Sequence, residues 1–263
     1  MASTLSDALE IVVRTDPGMV RELNEDAVFA NPTRGLVILA DGMGGYNAGE
    51  VASGMATSFL ASALETSFFD RTPEGVSDPG GASFAHGCLH ESIARANTAI
   101  YNAAISEPQF SGMGTTLVTA LFYDNKVAVA HIGDSRLYRL RDEALSIVTR
   151  DHSLLQEQID SGMITAEEAR YSQNKNLVTR ALGVEPSVEP EINEYAVLPG
   201  DVYLFCSDGL NDMLVDEEIQ LVLQTLSVNL DLAAKQLIQM ANDNGGRDNI
   251  SVILVKILHA FPA

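Results

Sequence analysis

The sequence predicts an α+β domain in which antiparallel β-sheets are covered by helices. Two short, continuous apolar runs, at 36–40 and 202–206, are typical of strands buried on both faces. A series of strand patterns separated by turn residues occupies 115–149, and long helical patterns precede and follow it. These observations establish the class of the fold, whereas they leave the number of layers open.

The helices are predicted from the spacing of apolar residues and from capping residues at their starts. The first spans 46–64, where Asn47 and Glu50 are placed as a capping pair and many small residues suit close packing against a sheet. A loop rich in Pro, Gly, Asp and Ser follows at 70–83. Further helices are predicted at 84–105, 216–226 and 231–242, the last two each beginning on an aspartate that can cap it.

Four consecutive strands are predicted with turn residues between them, which indicates an antiparallel meander. They span 115–123, 127–132, 135–141 and 145–149, and a last strand at 250–258 completes the set.

The pattern weakens between 151 and 182. Short helices are predicted here at 153–160 and 165–170, the second with a capping box of Thr165 and Glu168. We interpret this part as a small insert that lies over the main body of a single domain spanning 1–263.

The composition is that of a folded, strongly acidic protein. Of the 263 residues, 46% are hydrophobic, which excludes a disordered chain. The 16 Lys and Arg against 36 Asp and Glu give a net charge of −20. Because such a surface repels other polyanions, neither nucleic acid nor an anionic membrane is an expected partner.

No targeting or membrane-spanning segment is predicted. Residues 1–16 contain no Lys or Arg before Arg14 and no long apolar stretch, and no run approaches the roughly 18 apolar residues that span a bilayer. Cys88 and Cys206 are too few for a disulfide framework and fit a reducing compartment. We therefore expect a soluble, cytoplasmic protein and, by default, a monomer.

Several apolar strands carry an aspartate at or near one end, beside a small or turn residue. These are Asp41 before Gly42, Asp134 before Ser135, Asp208 before Gly209, Asp248 ahead of Ile250, and Asp26 ahead of a short apolar stretch. A single aspartate of this kind is usually part of a turn. Strand ends are rigid, however, so that if these ends converge, several carboxylates share one small volume.

Carboxylates that share a small volume raise one another's pKa and repel one another, unless a cation neutralises them. Oxygen ligands favour Mg²⁺ or Mn²⁺, whereas Zn²⁺ prefers histidine or cysteine, and the sequence has no HExxH or paired-cysteine motif. Two such ions about 3.5–4 Å apart can share a water and turn it into a hydroxide nucleophile. A hydrolase with a binuclear Mn²⁺ or Mg²⁺ centre would need such a carboxylate set.

Other phosphate chemistries lack their motifs. The arginine nearest to Cys88 is Arg95, one residue too far for the Cys-x₅-Arg of a cysteine phosphatase. A P-loop requires a lysine directly after a glycine, and no lysine of this sequence follows one. A dinucleotide fingerprint that starts at Gly42 requires its third glycine at 47, where the sequence has Asn47.

Six strings carry a resemblance to a known family. They are RELNEDAV at 21–28, DGMGGYNAGEVAS at 41–53, GMGTTL at 112–117, GDSRLY at 133–138, SDGLND at 207–212 and GGRDNISV at 245–252. Their order and separations resemble those of the metal-dependent serine/threonine protein phosphatases, the PPM or type 2C family, in its bacterial branch. The resemblance covers about 12–255.

The resemblance implies the architecture and the activity. The fold would be a four-layer sandwich of two antiparallel sheets packed face to face with helix pairs outside. The activity would be hydrolysis of phosphoserine and phosphothreonine in proteins, the substrates of a serine/threonine kinase. Two tightly bound Mn²⁺ or Mg²⁺ ions and a weaker third would serve as cofactors.

The resemblance also implies roles for single residues. Asp41 would bridge the first and second ions, with the Gly42 carbonyl on the first and with Asp208 and Asp248 on the second. Asp26 would act through a metal-bound water, and Glu25 is placed to help in the same way.

The same resemblance places Asp134, Asp208 and Asp212 at the third ion. Arg21 would bind the substrate phosphate, for which a guanidinium fork is suited by its two parallel hydrogen bonds. The insert at 151–180 corresponds to the flap of bacterial members. The expected catalytic set is therefore Asp41, Asp208, Asp248 and Arg21.

One residue departs from the eukaryotic pattern of the family. Met43 stands where many eukaryotic members have a histidine proposed to protonate the leaving alkoxide. The general acid could then be a metal-bound water, His131 or His152, although a hydrogen-bonded core position is the favoured interpretation for His131. The alternative function is a non-catalytic adaptor that binds cations and phosphoproteins, a role that does not require every metal position.

Overall fold

The computed structural model describes residues 5–45, 48–69, 83–169, 172 and 177–261. Within these ranges the strands pair antiparallel throughout. They are β1 (Leu9–Asp16), β2 (Asp26–Asn31), β3 (Leu36–Met43), β4 (Gly114–Thr115), β5 (Leu117–Tyr123), β6 (Lys126–Ile132), β7 (Arg136–Arg141), β8 (Ala144–Ile147), β9 (Glu191–Ala196), β10 (Val202–Cys206) and β11 (Ile250–Ile257).

The described α-helices are α1 (Leu5–Ala8), α2 (Ala48–Leu64), α3 (Phe84–Ser106), α4 (Leu154–Asp160), α5 (Ala166–Ala169), α6 (Asp208–Asn211), α7 (Asp216–Leu226) and α8 (Leu230–Asp243). A π-helical turn, Glu65–Phe69, continues α2, and a 3₁₀ turn, Pro108–Phe110, follows α3. None of these helices is both long enough and apolar enough to span a bilayer.

Two sheets pack face to face. Sheet I has the order β2-β3-β5-β6-β9, with β4 beside β3, and sheet II has the order β1-β11-β10-β7-β8. Because side chains alternate along a strand, Ile38 of β3 packs under α2 and α3, whereas Val37 packs between the sheets. In β10, Leu204 likewise packs under α7 and α8, and Tyr203 packs between the sheets. The four-layer sandwich is confirmed.

The predicted meander is wrong at its centre. β5 and β6 form a hairpin in sheet I, but β7 and β8 form theirs in sheet II. The turn at Gly133 therefore carries the chain from one sheet to the other, with a φ of 100° that only glycine adopts readily. A Cβ there would lie 2.7 Å from the Thr116 methyl group. This crossing leaves Asp134 between the ends of the two sheets.

The helices lie close to their predicted spans, but two caps differ. α8 is capped by Asn229, whose side chain accepts a hydrogen bond from the Leu232 N–H at 3.1 Å, so Asp231 is not the cap. At α7 the N-cap is Val215 instead of the predicted Asp216, which is the first residue of the helix. The Val215 N–H donates to the Glu218 side chain at 3.1 Å. The predicted pairing of Asn47 with Glu50 and the loop up to Ala82 lie outside the described residues.

The insert at 151–180 is joined at its two ends. Ser153 bridges to Val178, and the Thr179 N–H donates to the His152 carbonyl at 2.8 Å. The capping box of α5 is confirmed, since the Thr165 N–H donates to Glu168 at 2.7 Å and the Glu168 N–H donates back to Thr165 at 3.2 Å. The insert therefore leaves and rejoins the main body at adjacent points.

Candidate active site

The first two carboxylates of the site face each other across sheet I. Asp26 begins β2, Asp41 lies near the end of β3, and the two are direct partners in the strand register. Asp41 is held by its backbone, because its N–H donates to the Thr116 hydroxyl at 3.1 Å and its carbonyl accepts from the Thr115 hydroxyl at 2.9 Å. The segment where β4 passes into β5 thus holds the backbone of Asp41 in place.

Sheet II brings the other carboxylates to the same place. Ser207, at the end of β10, donates its hydroxyl hydrogen to Asp26 at 2.8 Å, and Asp208 follows it as the first residue of α6. Gly209 packs so closely on the segment before β11 that a Cβ there would lie 2.0 Å from the Asn249 carbonyl oxygen. Asp208 and Asp248 are therefore fixed on the two sides of this contact.

Asp134 and Asp212 complete the group on its far side. Asp134 is buried, with 7% of its surface exposed. Asp212 ends α6, where its N–H donates to the Asp208 carbonyl at 2.8 Å. Both act electrostatically on Asp208, and Asp212 also acts on Asp134. The predicted carboxylates thus come together from distant parts of the chain.

Desolvation and mutual repulsion raise the pKa values of four of these carboxylates. Loss of solvent around Asp41 raises its pKa well above the ordinary value, and the charges of Asp26 and Asp208 raise it further. Asp208 responds in the same way, first through desolvation and then through Asp134. Desolvation likewise raises the pKa of Asp26 to about 6 and that of Asp134 to about 6. At neutral pH the site therefore concentrates negative charge at a cost to folding.

The donor set fits hard divalent cations. It consists of carboxylate oxygens, and Asp26 Oδ1 is buried without a hydrogen-bond partner among the residues that the structure describes. A buried oxygen of this kind is costly unless a ligand satisfies it. Oxygen ligands of this charge select Mg²⁺ or Mn²⁺. The geometry therefore suits the ions that the sequence predicts.

Comparison with known proteins identifies the family. Residues 20–254 match the model of the protein phosphatase 2C family. The chain belongs to the protein phosphatase 2C family. The family resemblance and the fold expected from the sequence are both confirmed.

Relatives of this phosphatase 2C chain occur in several bacteria. The serine/threonine phosphatase stp of Listeria monocytogenes is 40% identical over 249 residues, which cover 92% of this chain and 94% of the relative. The serine/threonine protein phosphatase PstP of Mycobacterium tuberculosis is 40% identical over 95% of this chain. That alignment covers 45% of PstP, so the chain spans less than half the length of this relative.

Solved structures share the fold. The catalytic domain of PstP, solved in complex with two manganese ions, has a TM-score of 0.80 and 40% identity, with 94% of this chain and 97% of that chain covered. Stp1 from Staphylococcus aureus has a TM-score of 0.83 and 35% identity, with 98% of each chain covered.

Three further predicted residues lie beside the carboxylates of this phosphatase 2C site. The Arg21 guanidinium is half exposed and donates to Asp248 at 2.7 Å, a hydrogen bond that is the main reason its pKa is raised. Desolvation raises the pKa of Glu25, whose backbone carbonyl accepts from the Gly42 N–H at 3.1 Å. A Cβ on Gly42 would lie 2.1 Å from the Gly49 carbonyl, so this corner tolerates no side chain.

Each of the two histidines that could serve as general acid is hydrogen-bonded to the backbone. His131 is buried, and its Nε2 lies 2.8 Å from the Arg150 carbonyl oxygen, as expected for a hydrogen-bonded core histidine. His152 stacks on it with ring centroids 4.7 Å apart, and its Nδ1 accepts from the Gly133 N–H at 3.2 Å. Desolvation lowers both pKa values, that of His152 to about 4. Both rings are thus neutral at pH 7.

These histidines and Glu191 offer metal-type donor atoms that lie within 4.8 Å of one another. A metal on His152 Nε2 would require a proton on Nδ1, since a ligating histidine usually donates from its other nitrogen. Here Nδ1 is an acceptor for Gly133. The group is therefore better explained as support for the turn that carries Asp134.

Sequence reasoning missed the residues that hold the carboxylates in place. Asn249 accepts from the Glu25 N–H at 2.7 Å and donates to the Leu23 carbonyl at 2.8 Å. Ser207, beside Asp208, joins β10 to Asp26. Ser207 lies in SDGLND and Asn249 in GGRDNISV, each next to a predicted aspartate. That position is the only sequence feature that could have identified them.

Proposed function

We propose that this chain is a metal-dependent protein phosphatase that hydrolyses phosphoserine and phosphothreonine. The observation that carries this proposal is the convergence of carboxylates from five separate segments. In four of these segments, at Asp26, Asp41, Asp134 and Asp208, desolvation and neighbouring carboxylates raise the pKa. A protein maintains such an unfavourable charge cluster only if a ligand neutralises it. Membership in the phosphatase 2C family supports the same activity.

Mn²⁺ or Mg²⁺ is the proposed cofactor, in two tight sites and a weaker third. The manganese complex of PstP supports this assignment. Asp41, Asp208, Asp248 and the Gly42 carbonyl would hold the two tight ions, with Asp26 and Glu25 acting through bound water. Asp134 and Asp212, with Asp208, would hold the third. When bound, such ions lower the pKa of water enough to supply a nucleophile at neutral pH and polarise the phosphoryl oxygens.

The chain's own groups would position the substrate. Arg21 lies at the exposed edge, where its guanidinium can pair with phosphate oxygens by two parallel hydrogen bonds. The hydrogen bonds of Thr115 and Thr116 to the Asp41 backbone would hold the main chain that carries this carboxylate in place as charge develops. Neither His131 nor His152 is proposed as general acid, because the pKa of each is lowered and each ring is engaged.

The deciding experiment is an assay with p-nitrophenyl phosphate and a phosphothreonine peptide. The chain should turn over both with Mn²⁺ and neither with excess EDTA. The adaptor alternative predicts binding of Mn²⁺ and of phosphopeptide without turnover. Equal activity with and without EDTA would contradict the metal-dependent mechanism.

Several finer expectations belong to the proposal. The substrates are proposed to be phosphoproteins produced by a serine/threonine kinase in signalling, and the location to be cytoplasmic. Residues 1–263 are proposed to act as one catalytic domain and as a monomer, with 151–180 as its flap. Size-exclusion chromatography with light scattering would test the oligomeric state.

A further inference from the structure

A cavity of about 470 Å³ lies beside the carboxylate cluster, on the side where the insert rejoins the main body. Met43, two residues after Asp41, forms one wall, and residues 178–189 supply the others. The mechanism proposed above gives this cavity no role. Its position next to the reacting phosphate would make it accessible to a side chain of the same substrate peptide.

Hydrogen bonds tie the cavity to the cluster. Leu182 exchanges two backbone hydrogen bonds with Thr115, at 2.8 and 3.1 Å, and the Thr115 hydroxyl donates to the Asp41 carbonyl. Val184, which lines the cavity, packs against Gly114 so closely that a Cβ on this glycine would lie 2.8 Å from the Val184 side chain. These contacts therefore fix the position of the cavity wall relative to Asp41.

The far wall is preformed. Asn97, which is buried, accepts from the Gly183 N–H at 2.8 Å and donates to the Glu185 carbonyl at 3.0 Å. These two bonds hold the turn at 183–185 against α3, and Gly183 has a φ of 83°. Because the backbone is fixed on both sides of Val184, the cavity needs no large rearrangement to accept a ligand.

The lining has a distinct chemical character. Its apolar part comes from Met43, Val178, Ala181, Val184 and Val188. Its charged part comes from Glu185, Glu189 and Arg180. The Arg180 guanidinium lies at one side of the cavity, 3.4 Å from His152 Nε2, and the Glu189 side chain is 80% exposed. The cavity thus combines an apolar surface with an excess of negative charge.

We propose that this cavity is the substrate subsite for a lysine or arginine near the phosphorylated residue, an inference that rests on the proposed phosphatase function. The methylene stem of such a side chain would lie on the apolar surface and its cationic head would meet Glu185 and Glu189. The net charge of −20 acts in the same direction, because it attracts basic segments over a longer range.

The test compares phosphothreonine peptides of one length that carry lysine, alanine, leucine or glutamate at each position from three before to three after the phosphothreonine. With saturating Mn²⁺, kcat/KM should be about tenfold higher for lysine than for glutamate at one or more positions, a difference of about 1.4 kcal/mol. In the Glu185→Gln/Glu189→Gln variant this ratio should fall to about twofold, and turnover of p-nitrophenyl phosphate should not change.

The matched control is Glu143→Gln/Glu217→Gln, which removes the same charge from exposed positions in the turn between β7 and β8 and on α7. It should keep the wild-type ratio. The subsite assignment is overturned if the cavity variant keeps that ratio too, if the control loses as much of it, or if the leucine peptides are the best substrates. Failure of the wild-type protein to turn over p-nitrophenyl phosphate or any peptide would instead refute the phosphatase function itself.

Discussion

At the scale of single residues, Asp41 and Asp208 destabilise the metal-free fold and are expected to be needed for metal binding. Asp41→Asn or Asp208→Asn should reduce kcat at least a thousandfold with saturating Mn²⁺, because several kcal/mol of transition-state stabilisation depend on a complete ligand set. The metal-free variants should also melt about 2–4 °C above the metal-free wild type, since each loses a charge whose pKa is raised by burial and repulsion. Kinetics and thermal melts check both effects, and near-normal kcat would remove these residues from the ligand set.

Arg21 differs from these residues because it is half exposed and lies at the edge of the site. Arg21→Ala should raise KM about tenfold and lower kcat less, if its guanidinium mainly holds the phosphate before reaction. Arg14→Ala is the matched control, because Arg14 is also exposed and pairs with Asp231 on α8. An unchanged KM in the Arg21 variant would show that this residue has another role.

At the scale of elements, glycines set how closely the strand ends approach one another. Gly209→Ala would place a methyl group 2.0 Å from the Asn249 carbonyl, so α6 and β11 would have to separate and move Asp208 away from Asp248. We expect a loss of about 2–4 kcal/mol in the free energy of unfolding together with weaker Mn²⁺ binding. Gly54→Ala in α2 is the control, because a Cβ there meets nothing within 4 Å and alanine favours a helix by about 1 kcal/mol. Urea unfolding should therefore show opposite changes in stability for the two variants, and Mn²⁺ titration should show weaker binding only for Gly209→Ala.

The same scale shows what sequence can and cannot predict. The apolar run of β10 predicts that strand with its observed ends, because a strand buried on both faces is apolar throughout. The periodic spacing in α7 predicts that helix with its observed ends, because a helix buried on one face repeats its apolar residues every three or four positions. β9 was missed, since it lies at a sheet edge and its sequence EINEYA is polar at three of six positions, two of them consecutive, which interrupts the strand pattern. The crossing at Gly133 was interpreted as part of a meander, because a hairpin turn and a change of sheet have the same local signal. The aspartates of the site were predicted from their strings, whereas the hydrogen bonds of Asn249 and His152 depend on contacts between distant segments.

At the scale of the whole molecule, the acidic site should lower the stability of the metal-free protein as the pH rises, and bound metal should restore that stability. Asp26 and Asp134 have pKa values of about 6 in the folded state, above the ordinary 3.8, so the folded protein binds more protons between about pH 4 and 6. Their contribution to stability is therefore present at low pH and is lost as the pH rises through about 6. His152, with its pKa lowered to about 4, has the opposite effect in this range, because the unfolded chain then binds more protons.

The two effects can be separated in the Asp26→Asn/Asp134→Asn variant, in which the histidines are unchanged and the two carboxylates no longer titrate. In metal-free buffer, the variant should gain stability over the wild type as the pH rises from 4 to 7, by on the order of 2 kcal/mol for each carboxylate. Saturating Mn²⁺ at pH 7 should reverse the order, because the ions bind the folded wild type more tightly than the variant. Urea unfolding at several pH values, with EDTA or with Mn²⁺, measures all of these differences. A difference between the two proteins that does not change with pH would mean that the carboxylates are already ionised at low pH and that the cluster is not strained in the absence of metal.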